Sequence, residues 1–156
     1  MGDLRILIGL IIICESVGVI GAAFTAPSIP TWYATLAKPV FSPPGWLFFP
    51  VWTTLYLLMG VSAYLVWSSG MRKAAINDAL MIFALQLTLN VLWSLAFFAY
   101  RSIIGAFVAI VFLWFAIIIT IVSFGRLSKN ASLLLLPYIM WVTFATILNF
   151  SFMMLN

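Results

Sequence analysis

The sequence predicts an all-α, integral membrane protein built as a five-transmembrane-helix bundle. Three observations carry this. Of the 156 residues, 66% are hydrophobic and only 6% charged, against about 25% charged in soluble domains. A small soluble fold keeps too much surface in water to hide that much apolar area. Five apolar runs are each long enough for the roughly 20 residues a helix needs to cross a bilayer. All but one of the connections are short, which makes consecutive helices antiparallel neighbours in one bundle and one domain over 1–156.

The runs fall at roughly 5–26, 46–68, 78–100, 102–124 and 131–154. The first, "RILIGLIIICESVGVIGAAF", continues past Glu15 without a clear cleavage site, so it reads as a retained helix and not a signal peptide. An acid near the middle of a span is costly and by default functional, as a proton relay, a counter-charge or a protonated hydrogen-bond donor. The fourth, "IIGAFVAIVFLWFAIIITIVSF", carries no charge. Gly18 with Ala22 and Gly105 with Ala109 are small-residue pairs that permit close helix contact, including a homodimer seam. Asp78, Arg72 and Lys73 read as solvated charges in the second connection.

The first connection, about 27–45, is long for a compact domain, and such loops are usually functional. Pro27, Pro30, Pro39, Pro43 and Pro44 stiffen it, and Trp32, Tyr33, Phe41 and Trp46 give it aromatic bulk. The alternative is an interfacial aromatic anchor. Arg5, Arg72, Lys73, Arg126 and Lys129 share one side of the membrane, Lys38 and Arg101 the other. The positive-inside rule then places the N-terminus in the cytoplasm and the loop outside, and the cell membrane is the expected location.

Three stripes suggest a pocket. Phe49, Trp52, Tyr56 and Met59 share a face of the second span; Gln86, Asn90, Trp93 and Phe97 a face of the third; Tyr138, Trp141, Ala145 and Asn149 a face of the fifth. Each alone is plain core packing, and Asn or Gln inside a membrane is often interhelical glue of about 0.6–2 kcal/mol. Together they suggest one hollow walled by Trp52, Trp93 and Trp141, with Gln86 and Asn90 as donors. Such a site suits a flat apolar ligand with a few polar edges. Tetrapyrroles fit that description, and sterols fit it in part.

Several classes are excluded or disfavoured. The seven basic residues form no run, so nucleic acid is not an expected partner. With no histidine, haem held by an axial imidazole and a His-based triad are both excluded. Cys14 stands alone, so there is no intrachain disulfide. No catalytic residue, metal ligand or resident cofactor is assigned, and a binding protein is expected before an enzyme.

The stretches "TWYATLAKP", "PPGWLFFPVWTTLY", "NVLWSLAFF" and "PYIMWVTFATILNF" resemble the translocator protein family, also called tryptophan-rich sensory proteins. The resemblance covers the whole chain. It implies a five-helix bundle, usually a homodimer, that binds porphyrins such as protoporphyrin IX, sterols in animal members, and isoquinoline carboxamides. The ligand-contacting residues it implies are Trp32, Tyr33, Trp52, Asn90, Trp93, Ser94, Trp141, Ala145 and Leu148. It also implies a second activity, light-dependent porphyrin degradation through pocket tryptophans. The sterol motif departs from the family pattern, with Phe150 where tyrosine stands and no basic residue after it.

Overall fold

A computed structural model describes residues 3–156 of the chain. Helix α1 runs Leu4–Ser28 and a short α2 spans Trp32–Thr35. After a 3-10 turn at Gly45–Leu47, α3 runs Phe48–Trp67. Helix α4 covers Lys73–Ser94 and ends in a π turn, Leu95–Ala99. Helix α5 spans Ile103–Gly125, α6 Lys129–Leu134 and α7 Leu136–Leu155. Five helical stretches are long and apolar enough to cross a membrane, and there is no strand among the described residues. The expected five-helix bundle is therefore the observed one.

Boundaries differ in instructive ways. Pro27 lies inside α1, so the first connection starts later than its prolines suggested. Lys73 and Asp78 belong to α4 and Arg72 is its N-cap; they are not loop charges. A polar helical turn has no apolar run to announce it. The last span breaks at Leu135, where the chain tightens to a Leu135 N–H to Ser132 carbonyl bond of 3.2 Å. Pro137 then sits at the start of α7, where its missing N–H removes no helical bond. The Ala131 carbonyl freed there accepts from the Ser62 hydroxyl of α3 at 2.7 Å.

Each helix follows lipid on one side. On α5, Ile104, Val108, Phe112, Phe115 and Ile119 are exposed, while Ala106, Ile110, Leu113, Ile117 and Phe124 are buried. This is a reading of α-helical period against an apolar solvent. Helix α1 is the most peripheral, with Cys14 and Ser28 its buried residues. It packs on α3 and α4, α5 lies against α4 and α7, and α6 fills between α3 and α5.

Two glycines set the α1–α3 distance. A Cβ on Gly60 would lie 2.7 Å from the Ile11 backbone, and one on Gly18 would lie 2.6 Å from the Tyr56 ring. Gly18 thus serves contact within the chain. Gly105 is explained locally: its N–H donates to the Ser102 hydroxyl at 3.1 Å in the α5 cap.

The π turn was not anticipated. Tyr100 N–H bonds the Leu95 carbonyl at 2.9 Å, one residue wider than an α turn. It lets the neighbours Phe97 and Phe98 both point inward, with ring centroids 4.9 Å apart. The Phe98 carbonyl accepts from the buried Ser28 hydroxyl at 2.9 Å, tying α1 to the end of α4.

Candidate ligand cleft

A cleft opens beside α3 at the loop end of the bundle. Its walls are one face each of α1, α3 and α4, and its volume is about 280 Å³. From α1 come Gly18, Gly21, Ala22 and Thr25, whose small side chains make the space; Glu15 lies at the inner end. From α3 come Phe48, Phe49, Trp52, Thr53 and Tyr56; from α4, Asn90, Trp93, Ser94 and Phe98. The Trp52 ring stacks on Tyr56 at 5.6 Å and lies 5.9 Å from Trp93, tilted by 35°. These three rings form a continuous aromatic wall.

The polar groups behind that wall are largely committed to one another. The Tyr56 hydroxyl donates to Asn90 Oδ1 at 2.6 Å, and Asn90 Nδ2 donates to the Tyr138 hydroxyl at 2.9 Å. Tyr138 donates in turn to Gln86 Oε1 at 2.8 Å. Trp93 Nε1 donates to Asn149 Oδ1 at 3.2 Å, and Asn149 Nδ2 to the Ile103 carbonyl at 3.1 Å. Four spans contribute to a buried polar network with no water to replace its bonds, so it stitches α3, α4, α5 and α7 together. Gln86 and Asn90 are first of all interhelical hydrogen bonds.

The sequence-selected residues divide between several places. Phe49, Trp52, Tyr56, Asn90, Trp93 and Ser94 line the cleft. Gln86 is buried beneath it. Ala145 and Leu148 are buried in the core on α7. Tyr33 is buried under the loop among Phe48, Phe97, Phe98 and Phe152, its hydroxyl 3.2 Å from Ser42, and Trp32 sets its edge on Phe97 at 5.2 Å. Burial raises the Tyr33 phenol above its ordinary value, and the Ser42 bond opposes this in part.

The expectation that Trp52, Trp93 and Trp141 wall one hollow is corrected. Trp141 lines a separate groove of about 700 Å³ between α3 and α7, with Pro50, Val51, Thr54 and Phe144. Residues 49, 52 and 53 face α1, whereas 50, 51 and 54 face α7, so α3 itself divides the two spaces. The Phe48 ring, on the cleft wall, stands 6.3 Å from Trp141 at the partition. The α1 face escaped the sequence reading. Its signal was there: small residues at 18, 21, 22, 25 and 26 keep one helical face open.

The fold and cleft define a multi-pass integral membrane protein with an aromatic-walled lateral cavity. Comparison with known proteins is more specific. The TspO/MBR family model matches residues 10–155, and the chain belongs to the TspO/MBR family. It is 45% identical over 153 residues to the Tryptophan-rich protein TspO of Chlorobaculum tepidum, covering 98% of this chain and 95% of that one. It is likewise 45% identical over 150 residues to the Tryptophan-rich protein TspO of Archaeoglobus fulgidus, covering 96% of each. The Translocator protein of Ovis aries is 34% identical over 145 residues, covering 92% of this chain and 85% of the relative.

Proposed function

We propose that the protein binds porphyrin-like tetrapyrroles in the cleft between α1, α3 and α4, and moves them or signals their presence. The observation that carries this reading is the Trp52–Tyr56–Trp93 wall facing a small-residue face of α1. Indole and phenol rings supply flat, polarisable surface for stacking. At about 280 Å³ the cleft lies just under the usual ligand-site range of about 300–1,000 Å³. A tetrapyrrole then inserts by one edge and leaves the rest between Val19 and Thr53, toward lipid. The names of relatives, a translocator and a sensory protein, fit movement and signalling respectively.

Titration of protoporphyrin against intrinsic tryptophan fluorescence tests the site. Trp52→Phe is expected to weaken binding on the order of tenfold with thermal stability retained. Unchanged affinity in that variant rejects the cleft, and Trp141→Phe is the control for the separate groove.

Light-dependent porphyrin degradation is the second reading. It is favoured by the Trp52 and Trp93 rings standing 5.9 Å apart on the cleft wall, where both would meet a bound porphyrin, with dioxygen as the oxidant that takes up the electrons. A Trp52-dependent photoproduct above a protein-free illuminated control supports it. A homodimer, a cytoplasmic N-terminus and a place in the cell membrane complete the proposal. Cross-linking in the membrane and cysteine accessibility at each end test these.

A further inference from the structure

Glu15 is the one charged side chain on the cleft lining. It sits near the midpoint of α1, a helix of 25 residues, at the inner end of the hollow and half-buried. Among the described residues no hydrogen bond or ion pair reaches its carboxyl. The polar groups that share the lining with it are Tyr56, whose hydroxyl is given to Asn90, and the neutral Thr25, Thr53, Asn90 and Ser94. Ser94 is itself engaged, with the Gly21 carbonyl at 3.3 Å and Thr25 at 3.2 Å. Arg5, the basic residue on the same helix, is ten positions away, roughly 15 Å along the axis. A carboxyl at mid-bilayer depth without a partner is costly, and here it faces a space shaped for a ligand.

We infer that Glu15 is the polar anchor of the cleft and gives it a preference for flat aromatic ligands whose leading edge carries a protonated amine or N–H donor. The inference rests on reading the cleft as a ligand site. Between Glu15 and the loop end the lining is apolar or neutral, from Gly18 and Ala22 to Ile29, Phe48 and Phe98. A ligand therefore meets one chemical demand inside, at the carboxyl, and stacking surface elsewhere. A leading anionic group would meet the acid with no cation nearby to offset it. A ligand with acidic groups must keep them at the loop end, the side on which Lys38 and Arg101 lie. A carboxyl–ammonium contact in such a low-dielectric setting is a charge-assisted bond, about twice as strong as a neutral one.

The test uses 9-(aminomethyl)anthracene and its N-acetyl amide, a cation and its neutral counterpart on one flat body. Binding is read as energy transfer from tryptophan to anthracene, in neutral detergent, for the wild type, Glu15→Gln and Glu15→Asp. The wild type is expected to favour the amine by about tenfold, near 1.4 kcal/mol. Glu15→Gln should abolish that preference and leave the amide affinity unchanged, a pattern that a purely structural role for Glu15 would not give. Glu15→Asp should retain a reduced preference. Equal affinity of the two probes in the wild type, or a preference that survives in Glu15→Gln, overturns the inference. If neither probe binds while protoporphyrin still quenches Trp52, the anchor is wrong and the tetrapyrrole site stands. If protoporphyrin also fails to bind, the cleft is not a ligand site and both readings fall.

Discussion

The side-chain amide of Asn156 holds both backbone groups of Ala37. Its Oδ1 accepts the Ala37 N–H at 2.9 Å, and its Nδ2 donates to the Ala37 carbonyl at 3.1 Å. A third bond, Nδ2 to the Phe152 carbonyl at 3.0 Å, fixes the amide at the end of α7. The loop that follows α2 is thus clamped to the last helix across most of the sequence. Asn156→Ala removes both bonds to Ala37, each with a net value of about 0.5–1.5 kcal/mol. The expected result is faster hydrogen exchange at the Ala37 amide, by about tenfold or more, with the helical core amides unchanged.

The Tyr56–Asn90–Tyr138–Gln86 chain predicts a non-additive stability effect. Asn90→Ala leaves the Tyr56 hydroxyl without its acceptor inside the bundle, a cost of about 1–3 kcal/mol. Adding Tyr56→Phe removes the stranded group, so the double variant should be more stable than Asn90→Ala alone. Thermal unfolding of the four proteins of the cycle in detergent measures the coupling. Strict additivity would show that the hydroxyl finds another partner.

Gly18 carries the α1–α3 contact beside the cleft. With the Tyr56 ring 2.6 Å from where a Cβ would stand, Gly18→Ala must push α1 away or turn the ring. Overpacking of this kind costs about 1–3 kcal/mol. A lowered melting temperature is expected, together with altered protoporphyrin affinity, because Tyr56 also backs Trp52. Gly9, which meets nothing within 4 Å, is the matched control, and Gly9→Ala should leave the affinity unchanged and the melting temperature no lower.

Tyr33 gives a signed pH dependence. Its burial raises the phenol above the ordinary value of 10.0, so the fold favours the neutral form. That contribution is complete below the unfolded value and is lost as pH rises through the folded one. Melting temperature measured from pH 8 to 12 should fall more steeply at the alkaline end for the wild type than for Tyr33→Phe. Parallel curves would mean that the loop opens before Tyr33 ionises.

The five crossings were legible because lipid demands long apolar helices, and the chain obeys that demand in every span. The charged start of α4 was not legible: Lys73 and Asp78 continue a helix into a polar phase where composition carries no boundary. The π turn at 95–99 depends on which carbonyls find donors across the bundle, such as Ser28, and no local pattern states that. On the cleft, the aromatic stripe of α3 and the Asn90 and Trp93 face of α4 were readable from spacing alone. Trp141 was misplaced because spacing along α7 gives a face and not a neighbour; the turn of α3 between Val51 and Trp52 decides which space each indole meets. The α1 wall was passed over because glycine and alanine advertise packing more readily than a void.

Ile11 of α1 and Gly60 of α3 meet at close range, and Gly18 meets Tyr56 nearer the loop end of the same pair. Beyond those two tight contacts the helices flank open space up to Ile29 and Gly45. Close approach of the two helices is thus confined to Gly60 and Gly18, and the spacing fixed there sets how far apart the tips beyond them stand. Neither Gly60 nor Ile11 lines the cleft, so any residue larger than glycine at position 60 would reshape the space that admits a molecule without altering a side chain that touches it.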